Sequence, residues 1–135
     1  MTIEAHMHRT NGALTTLSDG RHTWTADLEQ KVGGNEAAPD PHDLLDSALA
    51  ACTALTLEVY LRRKGWAVTD VHVTIDHVET KAEDGKVHYQ LRRNVRIEGD
   101  VSQEDRQRLL DIANRCPLHR ILTGQIEIDT VLEDA

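Results

Sequence analysis

The chain is 135 residues long, with 15 Lys and Arg against 23 Asp and Glu, a formal charge of -8 at pH 7, two Cys, and four Trp and Tyr without a Phe. That length suits one domain, and the acidic balance argues against nucleic acid or an anionic membrane surface as partner. Two cysteines are too few for a disulfide scaffold, the opening MTIEAHMHRT has no apolar run, and no stretch of about 18 uncharged apolar residues is found. A cytoplasmic globular protein is therefore expected, with a modest core of Leu, Val, Ile and Ala that a second subunit would complete.

Residues 1–30 contain three short Thr-rich segments separated by Asn11-Gly12 and Asp19-Gly20. Both dipeptides readily adopt positive φ, so a small antiparallel meander is expected. The segment KVGGNEAAPD, residues 31–40, reads as a loop. In residues 41–66, Leu45, Leu49, Cys52, Leu55, Thr56 and Val59 recur at helical spacing, which predicts a long helix. Its centre is small or apolar on nearly every face, so burial all round is expected, partly by another chain. Arg62-Arg63-Lys64-Gly65 supplies cations at the negative end of the helix and a glycine stop.

In residues 69–98, Val71, Val73 and Ile75, then Val87, Tyr89, Leu91, Val95 and Ile97, alternate with polar residues. Two long strands turning near Glu83-Asp84-Gly85 are predicted. Two helices follow in residues 102–123, the first capped by Ser102 and the second opening at Pro117 with Cys116 at or just before its N-cap. Residues 125–132 alternate as a last strand. Together these elements predict an α+β fold of mostly antiparallel sheet.

The cysteines differ in their prospects. Cys52 lies in mid-helix, beyond the reach of the helix dipole, so it is either a small core hydrophobe or a thiol activated by a cation from elsewhere in the fold. Cys116, at a helix start, faces free backbone N–H groups that favour a thiolate. His119 is a surface histidine or a neighbouring base, and spacing alone favours the surface. A zinc site built from Cys52, Cys116, His119 and His42 lacks any CxxC or HExxH spacing and is disfavoured, so no metal is expected. His6 and His8 alternate on one face, while His72, His77 and His88 fall at solvated positions. Phosphate loops, nucleotide fingerprints and GxSxG turns are lacking.

The run Pro39-Asp-Pro-His-Asp-Leu-Leu-Asp-Ser-Ala-Leu-Ala-Ala-Cys52-Thr, then Tyr60-Leu-Arg-Arg-Lys-Gly-Trp66, and later Leu109-Leu-Asp-Ile-Ala-Asn-Arg-Cys-Pro-Leu-His119 resembles the OsmC/Ohr family of thiol-dependent peroxidases. The order of elements matches over nearly the whole chain. The resemblance implies an intertwined homodimer in which sheets from both chains wrap long central helices. It implies Cys52 as the peroxidatic cysteine and Cys116 as the resolving one. The implied cycle takes an organic hydroperoxide to its alcohol through a sulfenic acid on Cys52 and a Cys52–Cys116 disulfide. An external dithiol then reduces that disulfide, with no bound cofactor.

By the same resemblance an arginine of the meander steadies the Cys52 thiolate, with Arg9 the best match and Arg21 the reserve. A carboxylate before the first Cys holds that arginine. Many members have Glu where this chain has His42, others one residue later at Asp43, which is taken as the partner. The competing expectation is a dimer of the same fold that binds or senses a hydrophobic small molecule with little turnover.

Overall fold

The computed structural model describes residues 1–134. The chain divides into two compact units, residues 1–47 and the remainder.

The first unit is a meander of β1 (Glu4–Met7), β2 (Thr15–Ser18) and β3 (Thr23–Ala26), antiparallel in the order β1-β2-β3. The turn after β1 closes through a 3₁₀ turn, Arg9–Asn11, with Gly12 at φ 72°. Between β2 and β3, Asp19 accepts hydrogen bonds from the backbone N–H groups of Arg21 and His22 at 2.8 and 2.6 Å. These bonds, with the His22 ring foremost, pull the Asp19 pKa down to about 2. Beyond β3 the buried Asp27 carboxylate accepts from the N–H of Leu28 at 2.7 Å and of Ala37 at 3.0 Å. It thereby ties the two ends of the predicted loop together. Helix α1 (Pro41–Lys64) opens beneath Asp40, whose carboxylate accepts the Asp43 N–H at 3.1 Å, with proline at the first helical position.

The second unit takes the rest of α1, which ends where predicted, Gly65 at φ 64° donating its N–H to the Leu61 carbonyl. A long antiparallel hairpin follows, β4 (Ala67–Lys81) and β5 (Val87–Asp100). The register sets Val71 opposite Ile97, Val73 opposite Val95 and Ile75 opposite Arg93. Helix α2 (Gln103–Ala113) starts at Ser102, whose hydroxyl accepts the Asp105 N–H at 3.1 Å. The Arg106 guanidinium fastens this helix to the hairpin, donating to the carbonyls of Ile97 at 2.7 Å and Gly99 at 2.9 Å. Helix α3 (Pro117–Thr123) completes the unit. Leu57 and Leu61 of α1 pack with Leu109 and Ala113 of α2, and Val71, Val95 and Ile97 of the hairpin close over them.

One expectation needs correction. Residues 125–132 form no strand, because no neighbouring strand among the described residues offers them a ladder, and Ile126 and Ile128 stay exposed. Within one chain, helix α1 buries one stripe, Asp46, Leu49, Thr53, Leu57 and Leu61, and leaves Leu55 64% and Val59 53% exposed. The same helix is long and apolar enough to meet the length and composition test for a membrane span, despite Asp46 and Glu58. Here its buried stripe packs on protein, as core helices do.

Candidate active site

Cys116 is the N-cap of α3, in extended backbone (φ -62°, ψ 143°), with Pro117 starting the helix behind it. This is the local structure that Cys-Pro dictates, since proline cannot continue α2 but suits a first turn. The side chain is fully buried, and its sulfur accepts the His119 N–H at 3.3 Å. From α1, Thr53 lies one residue beyond Cys52 and is also fully buried. Its Oγ1 stands 2.7 Å from the Leu49 carbonyl and 3.8 Å from the Cys116 sulfur. One hydroxyl proton can serve only one of these acceptors at a time.

Cys52 is a half-buried free thiol, near enough to Cys116 to help lower that thiol's pKa. The long helix and the Cys-Pro junction, 64 positions apart in the numbering from 52 to 116, thus bring the two cysteines together.

The cation at this pair within the second unit is Arg93. Its Nη1 donates to Thr53 Oγ1 at 3.0 Å and approaches the Cys116 sulfur at 3.8 Å. Its Nη2 donates to Asn114 Oδ1 at 2.8 Å and to His119 Nδ1 at 3.0 Å. Arginine has no acceptor, so Nδ1 must be the lone-pair nitrogen of that ring. Burial pushes the Cys116 thiol up, but the His119 N–H, the Thr53 hydroxyl, the Cys52 thiol and the Arg93 charge together bring it below its ordinary value.

Sequence reading passed over Arg93, although a signal was there. Tyr89, Leu91, Arg93, Val95 and Ile97 share one parity of β5, and all five are half-buried while their neighbours are exposed. A guanidinium in phase with the apolar face must meet a buried polar partner. His119 also departs from the surface reading, being half-buried and bonded to Arg93.

Arg9 and Arg21 are exposed residues of the first unit's turns, and Asp43 lies exposed in the first turn of α1. His42 Nδ1 sits 3.3 Å from Asp40 Oδ2. Among the described residues, the donors near enough to share a metal ion are Asp70, His72 and Glu98, all exposed on the hairpin and apart from the cysteines; Arg96 lies 3.5 Å from Glu98.

A cavity of about 200 Å³ adjoins the cysteine cluster, lined by Leu49, Tyr89, Leu91, Leu122 and Thr123, with Arg93 and His119 in its wall. Two thiols, a cation facing sulfur and an adjacent apolar recess make a centre suited to thiol–disulfide chemistry on an organic molecule.

The family profile described as OsmC-like protein matches residues 33–131. No curated protein matches the chain. Among solved structures, an OsmC-like protein from Mycoplasma pneumoniae superposes with a TM-score of 0.78 at 21% identity, over 91% of this chain and 86% of that one. An organic hydroperoxide resistance protein from Elizabethkingia anophelis gives 0.71 at 22% identity, over 94% and 91%. The organic hydroperoxide resistance protein OhrB of Bacillus subtilis gives 0.67 at 21% identity, over 91% and 90%.

Proposed function

The chain belongs to the OsmC-like family, and from that membership and the paired thiols we propose that it is a cysteine-based peroxidase reducing organic hydroperoxides to alcohols. The observation that carries the reading is the adjacency of a half-buried Cys52 to a buried Cys116 whose thiol is drawn toward ionisation.

In the proposed cycle the Cys52 thiolate attacks the terminal oxygen of the hydroperoxide. The O–O bond breaks, the alcohol leaves with a proton, and Cys52 becomes a sulfenic acid. Cys116 condenses with it, forming the disulfide and releasing water. An external dithiol from the reducing cytoplasm restores both thiols, and no metal or prosthetic group takes part. Arg9, with Asp43 as its carboxylate partner and Arg21 in reserve, is the proposed stabiliser of the Cys52 thiolate. The 200 Å³ recess lined by Leu49, Leu91 and Leu122 supports an apolar substrate of modest size over hydrogen peroxide.

A homodimer is part of the proposal. Exposed Leu55 and Val59 on α1, with exposed Ile126 and Ile128 in the C-terminal segment, are apolar surface that a second copy would cover. The test is a turnover assay with an alkyl hydroperoxide and a dithiol. Cys52→Ser abolishes turnover, and Cys116→Ser leaves a sulfenic acid trapped on Cys52. Turnover that survives Cys52→Ser would overturn the proposal.

A further inference from the structure

We propose that Arg93 is a catalytic residue of disulfide formation and reduction, holding Cys116 as the thiolate that attacks oxidised Cys52 and receiving it again as the leaving thiolate when the disulfide is reduced. This rests on the peroxidase reading and assigns a step within it to a residue of β5.

Access separates the two sulfurs. Cys116 is fully buried, whereas Cys52 is half-buried. A solvent-borne hydroperoxide or dithiol therefore meets Cys52, and the reaction partner within reach of Cys116 is the Cys52 sulfur. A buried thiol is a poor nucleophile unless a cation offsets its desolvation. Arg93 supplies that cation at 3.8 Å. The groups that hold the guanidinium, the Thr53 hydroxyl, the Asn114 amide oxygen and His119 Nδ1, are neutral acceptors. Its charge is thus aimed at sulfur without being matched by a carboxylate among these partners.

Four parts of the second unit contribute to this field. Helix α1 brings Cys52 and Thr53, β5 brings Arg93, the junction after α2 brings Asn114, and α3 brings the N–H of His119. The lowered pKa of Cys116 accords with that set of groups.

The chemistry balances. The Cys116 thiolate attacks the Cys52 sulfenic sulfur, an S–S bond forms and the S–O bond breaks, and hydroxide leaves to take up a proton from solvent as water. Cys116 sulfur is oxidised and the sulfenic sulfur reduced by the same electron pair. In the return step one thiolate of the dithiol attacks the accessible Cys52 sulfur. The S–S bond breaks, Cys116 departs as the thiolate beside Arg93, and a mixed disulfide remains on Cys52. The second thiol of the dithiol then displaces Cys52. A leaving thiol of lower pKa departs faster, so one cation favours both directions.

The experiment follows wild type, Arg93→Met and Arg93→Lys, each as the full chain and checked for native circular dichroism. Reduced protein is mixed with tert-butyl hydroperoxide from about pH 5 to 9, quenched with a sulfenic-acid trap, and weighed by mass spectrometry for sulfenic acid and disulfide. In Arg93→Met, sulfenic acid accumulates, disulfide formation near neutral pH slows about tenfold or more, and its pH midpoint moves upward; Arg93→Lys recovers part of the loss. Wild-type disulfide kinetics and midpoint in Arg93→Met would overturn the inference, as would a loss confined to sulfenic acid formation.

A second measurement separates this from the peroxidase reading. The disulfide is made with diamide in place of hydroperoxide, and its reduction by dithiothreitol is timed. Slower reduction in Arg93→Met supports the role of Arg93 even if wild type forms no sulfenic acid, a result that would sink the peroxidase reading alone. Equal reduction rates would overturn the role of Arg93. Should Arg93→Met not fold, Arg93→Lys and Arg93→Gln carry the same comparisons.

Discussion

Replacing Thr53 by Val tests whether the cluster at Cys116 is held by its hydrogen bonds or merely packed. Valine keeps the β-branched shape inside α1 and removes only the hydroxyl, so the packing at this fully buried position changes little. The Leu49 carbonyl loses its 2.7 Å side-chain donor but retains the N–H that the helix itself provides. The larger loss is the 3.0 Å bond from the Arg93 guanidinium, since hydrogen bonds to charged groups contribute about 1.5 to 3 kcal/mol. Arg93 is only half-buried and keeps Asn114 and His119, which places the net cost at the low end, about 1 to 2 kcal/mol. Urea unfolding at neutral pH should show the midpoint falling at unchanged slope. An ultraviolet thiolate titration of the Cys52→Ser background, where Cys116 is the remaining thiol, should show its midpoint rising when Thr53→Val is added, because the guanidinium loses the bond that helps hold it 3.8 Å from the sulfur. A variant within about 0.5 kcal/mol of wild type, with an unmoved thiol midpoint, would refute the reasoning.

Leu57→Ala, at a fully buried site between α1 and α2, should cost about 2 to 5 kcal/mol by urea unfolding. Gly99→Ala should also destabilise, by about 1 to 3 kcal/mol, because φ is 145° there and a β-carbon would run into the Ala67 carbonyl beside the bulge. Leu55→Lys places a charge on the exposed apolar side of α1; if the proposed dimer forms through this side, light scattering should report wild type at twice the mass of the variant, and equal masses would argue that this surface is not the interface. The Asp27 carboxylate is held below its ordinary range chiefly by the Ala37 and Leu28 N–H groups, against its burial. Its contribution to stability is therefore full above the unfolded value of about 3.9 and is lost as pH falls through the lower folded value. Asp27→Asn should flatten that acid limb in pH-dependent unfolding, and an unchanged limb would count against the assignment.

The parts of this fold that the sequence disclosed are those fixed within a few residues. Asp19-Gly20, the Asp40-Pro41 start of α1, Gly65, Ser102 and Cys116-Pro117 all act where they stand, and each turn or cap formed at the expected place. Residues 125–132 show the complementary case. Their alternation is real, but a strand is a pairing, and alternation alone does not provide the neighbour.

The candidate site divides along the same line. The Cys116 environment was legible in part, because Cys-Pro at a helix start directs an N–H to the sulfur through local geometry alone. Arg93 reaches the same sulfur from β5 across 23 positions, and the meeting depends on which face of the hairpin turns toward α1. That face could have been inferred from parity. Leu91, Val95 and Ile97 declare the inward side, and a charged residue between them cannot be left without partners once the hairpin packs. A search for a thiol's cation that starts from charged residues in phase with buried strands, rather than from exposed loops, leads to Arg93 first. It also separates two questions that one resemblance had joined: which arginine serves the cysteine proposed to meet the peroxide, and which serves the one proposed to meet only its partner sulfur.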